Sequence, residues 1–281
     1  MIVDLLVPER TGEMEFVGGR DRSGAQRIYG GQVFSQALMA AAQTTDPERL
    51  VHSAHAYFLR SGDGNLPLDL QVMADFDGGS FSNRRVVAKQ NGKIILNLAA
   101  SFHRQDNGQS QDDAMPVVSL PEELEPLPAY LARHADRMIP DPEHIVRRSQ
   151  AFDIRIVNGP LTFGENKGGD AVHFWFRLKQ PVPALQYLHR GVLAYFSDFT
   201  LLAASLQRLD VNWSTRTVNM ATVDHSLWIH RDVDVNAWLL YVSESPWTAN
   251  GRGYCRGQFF TQDGHLAGST TQEGVVRLIA R

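Results

Sequence analysis

The stretch His265-Leu-Ala-Gly-Ser-Thr-Thr-Gln-Glu-Gly-Val-Val-Arg277 combines small and β-branched residues with one neutral amide. It predicts a β-strand, in which successive side chains point to opposite faces. One face then carries every second residue, namely Leu266, Gly268, Thr270 and Gln272. A buried amide costs roughly 1 to 3 kcal/mol unless it is hydrogen-bonded. Gln272 therefore needs polar neighbours, a bound water or a substrate.

A similar pattern occurs about 170 residues earlier in the chain. Asn91-Gly92 is a strong signal for a tight β-hairpin, and Gln262-Asp263-Gly264 is the corresponding turn in the second half. A shift of 172 positions places Arg84 on Arg256. The strand patterns on both sides of the turn also agree at this shift. The chain is therefore predicted to contain a duplicated unit.

Each half is predicted to combine one helix with several strands. The first helix covers about Gln32 to Gln43 and the second about His189 to Leu206, both with apolar residues along one face. The predicted strands are 50–59, 68–73, 84–89, 94–102, 152–157, 172–178, 218–230, 237–243, 254–261 and 266–276. We expect a first unit at 1–104, an exposed connecting segment at 105–150 and a second unit at 151–281.

Composition excludes several classes of protein. The 281 residues are 43% hydrophobic, which is enough for a large core. Since 27 basic and 31 acidic residues are well mixed, a nucleic-acid surface is not expected. Cys255 is the single cysteine, so no internal disulfide can form. We expect no leader peptide, and no apolar run is long enough to cross a bilayer, so we expect a cytoplasmic protein without membrane insertion.

No motif for a metal, a nucleotide or a nucleophilic serine is evident. His52 and His55 are three apart on a predicted strand and should face opposite sides, which argues against metal ligation. The glycines of 251–257 do not have the spacing of a dinucleotide loop and precede a strand. The chain has no Gly-x-Ser-x-Gly elbow. We expect neither a metal nor a cofactor.

Gly30 and Gly31 precede the first predicted helix. Unpaired N–H groups at a helix start can hold an anion or polarise a carbonyl, and glycine allows a ligand to approach closely. The same residues could equally form a tight turn.

Five separated motifs resemble one enzyme family. They are Tyr29–Leu38, Val51–Arg60, Ser197-Asp198, Ala221–His230 and Ser269–Arg277. In this order they resemble acyl-CoA thioesterase II, the TesB-type family, over nearly the whole chain. The resemblance implies an α+β double hotdog, in which two repeats of a long helix pack on a continuous antiparallel β-sheet.

The resemblance also implies a reaction and a site. Members cleave fatty acyl-CoA to free fatty acid and coenzyme A, and the family's motif positions hold Asp198, Thr222 and Gln272 here. An aspartate can act as general base, while a threonine and a glutamine can fix the attacking water by neutral hydrogen bonds. Considered without the resemblance, Asp198 could simply bond to nearby backbone, and Thr222 could be a β-branched strand residue.

Further residues are candidates for substrate binding. Besides the two glycines they are His55, Arg84 and Arg256. A histidine at position 55 could support the acyl site, or it could be a core or edge residue. The arginines could contact the phosphates of coenzyme A, although arginines on strands usually face solvent.

Two other functions remain open from the sequence. One is a non-catalytic module that binds acyl-CoA; the other is a hotdog-fold enoyl-CoA hydratase or dehydratase, which needs a base and a proton donor, typically a histidine with a carboxylate. Because hotdog sheets commonly join edge to edge, a homodimer or homotetramer is expected. The preferred acyl chain length depends on packing that the sequence does not define.

Overall fold

The computed structural model describes residues 2–21, 25–106, 108–133, 148–158, 171–207, 209 and 216–280. Two compact units interleave along the chain. The first comprises Met1–Gln111, Val182–Phe199 and Val223–Val233, and the second comprises Asp112–Pro181, Thr200–Thr222 and Asp234–Arg281. The repeat boundaries inferred from the sequence stay a prediction, and part of the predicted connecting segment, 134–147, lies outside the described residues.

The secondary structure is mostly antiparallel strand. The helices are α1 (Ile2–Leu6), α2 (Gly30–Ala42), α3 (Leu127–Arg133) and α4 (Gln186–Ser197), with 3-10 segments at Pro121–Glu123 and Leu201–Leu206. The strands are β1 (Glu9–Arg10), β2 (Glu15–Gly18), β3 (Arg49–Phe58), β4 (Leu68–Asp77), β5 (Phe81–Gln90), β6 (Lys93–Arg104), β7 (Phe152–Asn158), β8 (Ala171–Leu178), β9 (Arg216–Thr222), β10 (Asp224–Ile229), β11 (Leu239–Ala249), β12 (Arg252–Thr261) and β13 (Leu266–Ala280).

In the first unit, the strands form a sheet in the order β1-β2-β4-β5-β6-β3-β10, with every neighbouring pair antiparallel. Helix α2 packs on this sheet with the apolar face expected from its periodicity, which comprises Val33, Phe34, Ala37, Leu38 and Ala41, all buried. Burying these side chains stabilises the unit by roughly 1.5 to 3 kcal/mol for each large one.

The second unit has a sheet in the order β13-β12-β11-β8-β7, and β9 also pairs with β13. Residues expected to be an exposed connection partly cover this sheet. Met115, Val118 and Leu124 pack against a buried cluster that contains Trp175, whose indole N–H donates to the carbonyl oxygen of Ser119 at 2.9 Å. Residues 108–114 are exposed as expected, whereas these three apolar residues are half-buried because they cover aromatic side chains.

A bulge in β13 changes the predicted face of Leu266. Phe259 pairs with Gly268, whereas Phe260 pairs with Leu266, so one residue is left over between them. Leu266 consequently packs with the cluster around Trp175. The predicted buried row holds from Gly268 onward but is wrong for Leu266.

The second hairpin loop contains one residue more than the first, which shifts the correspondence of the two halves. Ala100 pairs with Arg84, whereas Gln272 pairs with Cys255. The loop after β5 has two residues, and the loop after β12 has three, closed by a hydrogen bond between residues 261 and 265. Cys255 therefore occupies the place of Arg84, and the predicted match of Arg84 with Arg256 is wrong by one residue.

Two predicted elements are interrupted. The helix expected from His189 to Leu206 ends at Ser197, and the chain resumes as a 3-10 segment at Leu201 after Thr200, which has a φ of 58°. The strand expected at 218–230 is broken at Val223 into β9 and β10. Each break lies next to a position where the chain passes from one unit to the other.

Candidate active site

Asp198 lies at the end of α4, in the first unit, and is partly buried. A Cβ atom at Gly30 would lie 2.8 Å from Oδ2 of Asp198 and 3.4 Å from the ring of Phe58. The absence of a side chain at position 30 therefore allows the start of α2 to meet the carboxylate of Asp198. The positive end of the α2 dipole favours negative charge at this place.

Gly31 has a separate role in packing α2 against α4. A Cβ atom there would lie 2.3 Å from the backbone oxygen of Tyr195, and the Tyr29 hydroxyl donates to that same oxygen at 3.1 Å. The rings of Tyr29 and Tyr195 meet edge to face, with centroids 4.9 Å apart. Both glycines therefore admit close contacts within the protein itself, while the ligand contact expected at this helix start stays a prediction.

Thr222 and Gln272 meet in the second unit. The side-chain amide of Gln272 donates to Oγ1 of Thr222 at 2.5 Å, and Gln272 is 1% exposed. Thr222 ends β9 opposite Gly274 of β13. A Cβ atom at Gly274 would lie 2.4 Å from the side chain of Leu202, so glycine admits the 3-10 segment over β13. The expectation of a polar neighbour for Gln272 is confirmed.

Cys255, which was not among the candidate site residues, is a neighbour of Gln272. It pairs with Gln272 across β12 and β13 and is fully buried. Burial raises the pKa of the Cys255 thiol to about 11. The thiol therefore stays protonated at neutral pH and cannot serve as a nucleophile there. The alternation of β12 would have identified its inward position.

His55 lies on the exposed face of β3, between the buried residues Ala54 and Ala56. Its ring contacts Ser226 at 3.0 Å and Trp228, with ring centroids 5.1 Å apart. The structure thus does not bring His55 to the buried face of the strand.

The prediction that His52 and His55 face opposite sides is wrong. A register shift between Val51 and Ser53 adds a residue to β3, so His52 turns to the exposed side and bonds to Ser101 at 2.8 Å. Burial lowers the pKa of both histidines. Among the residues that the structure describes, no group of three or more metal-binding side chains is placed to hold an ion.

The two predicted arginines have different surroundings. Arg84 is 3% exposed and donates to the backbone oxygen of Thr44 at 2.9 Å and to the carboxylate of Asp77 at 3.0 Å, close to the end of α2. The side chain of Arg256 is 59% exposed and forms an ion pair with Glu244 at 2.5 Å. Of these two guanidinium groups, only that of Arg256 is open to a ligand from solvent.

The fold defines the class of protein. The chain is similar to acyl-CoA thioesterase II TesB2 of Mycobacterium marinum, with a TM-score of 0.82, 35% identity and 99% of each chain covered. A second similar structure, a tesB protein of Mycobacterium avium subspecies paratuberculosis, has a TM-score of 0.81 at 28% identity and covers 98% of each chain. The predicted α+β double hotdog class is thereby confirmed.

The chain belongs to the acyl-CoA thioesterase family. A family model described as acyl-CoA thioesterase matches residues 145–275, and one described as the acyl-CoA thioesterase N-terminal domain matches 20–103. Acyl-CoA thioesterase 2 of Haemophilus influenzae is 34% identical over 98% of this chain and 96% of its own length. Human acyl-coenzyme A thioesterase 8 is 35% identical over 90% of this chain and 82% of its own length. In the described part of the chain, the helices are too short or too polar to cross a membrane.

Proposed function

We propose that this protein hydrolyses fatty acyl-CoA to a free fatty acid and coenzyme A. The observation that carries the proposal is the hydrogen bond from the buried amide of Gln272 to Thr222, in a chain that belongs to the acyl-CoA thioesterase family. An amide and a hydroxyl each carry donor and acceptor groups without net charge, which suits them to orient a water molecule. A fold alone would not require these two residue types.

In the proposed mechanism, Asp198, Thr222 and Gln272 hold the attacking water. The carboxylate of Asp198 takes one proton as the water oxygen bonds to the thioester carbon. The resulting tetrahedral intermediate breaks its C–S bond, and the thiolate of coenzyme A receives the proton. No covalent enzyme intermediate is needed, which agrees with the high pKa of the Cys255 thiol.

The start of α2 is proposed to stabilise the developing oxyanion. Backbone N–H groups at Gly30 and Gly31 carry the positive end of a helix dipole, and such donors lower the barrier of acyl transfer. Arg256 is proposed to contact a phosphate of coenzyme A, by exchanging Glu244 for the ligand. For His55 and Arg84, the proposed contact with substrate stays a prediction.

The decisive experiment measures thiol release from acyl-CoAs of increasing chain length. We expect turnover by the wild-type protein, a loss of at least about a hundredfold in Asp198→Asn and in Gln272→Ala, and near-normal turnover in the control Asp69→Asn, an exposed carboxylate on β4. Full activity of Asp198→Asn with a folded protein would contradict the mechanism. The wild-type series also defines the chain-length preference.

Two outcomes would support the other functions. Binding of acyl-CoA by calorimetry without thiol release from any chain length would indicate a non-catalytic module. A change in enoyl thioester absorbance without thiol release would indicate a hydratase or dehydratase. The pairing of one aspartate with a neutral threonine and glutamine favours attack by water over either of these.

We also propose that the protein acts in the cytoplasm as a homodimer or homotetramer. The proposal rests on the tendency of hotdog sheets to pair, because an edge strand can form hydrogen bonds to the edge strand of a second chain. Light scattering on the purified protein would test it, and a mass of one chain at micromolar concentration would contradict it.

A further inference from the structure

The residue before Asp198 takes part in a buried polar contact within the first unit. Oγ of Ser197 donates to the backbone oxygen of Ala194 at 2.8 Å and lies 2.7 Å from Nε2 of His225. Ser197 and His225 are both fully buried. Because this buried contact lies next to a candidate catalytic aspartate, it matters whether the serine or the histidine donates the hydrogen bond between them.

The geometry determines which group donates. A serine hydroxyl has one proton, and Ala194 offers a carbonyl oxygen, which can only accept. Ser197 therefore gives its proton to Ala194 and must accept at its oxygen. His225 then carries its proton on Nε2 and donates it to Ser197. A serine in this state is not activated for nucleophilic attack, because its proton points away from the imidazole.

The imidazole of His225 is itself held in place. His225 lies on β10 opposite Ala56 of β3, and its ring meets Phe34 of α2 edge to face, with centroids 4.8 Å apart and planes at 88°. The contact thus ties the last turn of α4 to the sheet and to α2 together. In the sequence, His225 also follows Thr222 by three residues.

We propose that Ser197 and His225 form a positioning pair that sets where α4 ends and hence where the carboxylate of Asp198 lies. The inference rests on the proposed function, in which that carboxylate acts on water. Its physical basis is the narrow space at the site, since the carboxylate lies within 2.8 Å of the place where a side chain at Gly30 would begin. A displacement of about 1 Å at such a place can cost on the order of a hundredfold in rate.

A matched set of variants tests the proposal. Ser197→Ala removes the acceptor and His225→Leu removes the donor, whereas His225→Gln keeps an amide N–H near the position of Nε2. Ser35→Ala is the control, because Oγ of Ser35 is equally buried and donates to the backbone of α4 at Gly191, at 2.7 Å. Melting temperatures and near-UV circular dichroism establish that each variant is folded.

We expect Ser197→Ala and His225→Leu to lower kcat for acyl-CoA hydrolysis by about tenfold or more, with KM changed by less than about twofold. His225→Gln should recover most of kcat, and Ser35→Ala should keep kcat despite a similar loss of melting temperature. A kcat of Ser197→Ala as high as that of Ser35→Ala would overturn the proposal. If His225→Leu does not fold, the kcat of Ser197→Ala compared with that of Ser35→Ala tests the proposal by itself.

Asp198→Asn separates this proposal from the proposed function. If Asp198→Asn is inactive while Ser197→Ala is normal, the positioning pair fails and the water mechanism stands. If Asp198→Asn keeps wild-type turnover, the proposed mechanism fails, and the positioning role fails with it.

Discussion

At the scale of single residues, two adjacent glycines serve different contacts. Gly30 faces the end of a flexible carboxylate side chain, whereas Gly31 faces a backbone oxygen. A side chain can rotate away at modest cost, but the backbone of a packed helix cannot move without disturbing its neighbours. The same substitution at the two positions should therefore affect activity in one case and stability in the other.

Gly30→Ala is expected to lower kcat by about ten- to a hundredfold, because its methyl group would displace the carboxylate of Asp198. Its melting temperature should change little, since alanine is favoured over glycine in a helix. Thiol release and thermal unfolding measure the two effects.

Gly31→Ala is the matched comparison. Its methyl group would lie 2.3 Å from the backbone oxygen of Tyr195, so we expect a loss of stability of about 1 to 3 kcal/mol. Equal activity of Gly30→Ala and the wild-type protein would show that the position of Asp198 tolerates this displacement.

At the scale of elements, the break after α4 places Asp198 at a helix end. Hydrophobic periodicity predicted one helix through this region, because the 3-10 segment continues to bury Leu201, Leu202 and Leu206. These leucines continue the run of apolar residues beyond α4, so the apolar pattern alone does not mark the residue at which the α-helix ends. Helix termination is therefore a tertiary feature here, and it occurs next to the candidate catalytic carboxylate.

The break places Thr200 in an unfavourable backbone conformation. Its φ of 58° lies in the left-handed region, which is unfavourable for a β-branched residue and tolerated by asparagine. We expect Thr200→Asn to raise the free energy of unfolding by about 0.5 to 1 kcal/mol. Urea unfolding measures the difference.

Thr200→Val is the control for this measurement, since it removes the hydroxyl but keeps the branched Cβ. It should be no more stable than the wild-type protein. A gain in Thr200→Val equal to that in Thr200→Asn would show that the hydroxyl, and not the backbone conformation, determines the stability at this position.

At the scale of the whole molecule, histidines on the exposed sheet face of the first unit couple stability to pH. Burial lowers the pKa of His52 and His55, and the positive charges of His103 and Arg190 lower that of His52 further. In the unfolded chain these groups bind protons near the ordinary value of 6.5. The stabilisation that these two histidines contribute to the folded state is therefore present above pH 6.5 and is lost as the pH falls below it.

The free energy of unfolding is accordingly expected to be higher at pH 7.5 than at pH 5.5. A double variant, His52→Gln with His55→Gln, should show a smaller difference between the two pH values. Urea titrations at both pH values measure this. An unchanged difference in the double variant would assign the pH dependence to other groups.

Much of the architecture could be predicted because it depends on local patterns. The apolar face of α2 and the tight turn at Asn91-Gly92 both appear where the sequence placed them. So does the inward row from Gly268 to Gln272, whose buried amide has the polar neighbour that its burial requires. Each follows from side-chain periodicity or from turn chemistry, which act over a few residues.

The sequence alone determined the two-helix, antiparallel plan, since this depends on residue type and alternation, and its resemblance to the thioesterase family supplied the candidates Asp198, Thr222 and Gln272. Only the tertiary structure decided the bulges that turn His52 and Leu266, the place of Arg84, and the contact of Ser197 with His225. The physical reason is that a bulge, a helix end or a buried polar contact is stabilised by partners distant in the chain. Local sequence that fits either arrangement cannot choose between them.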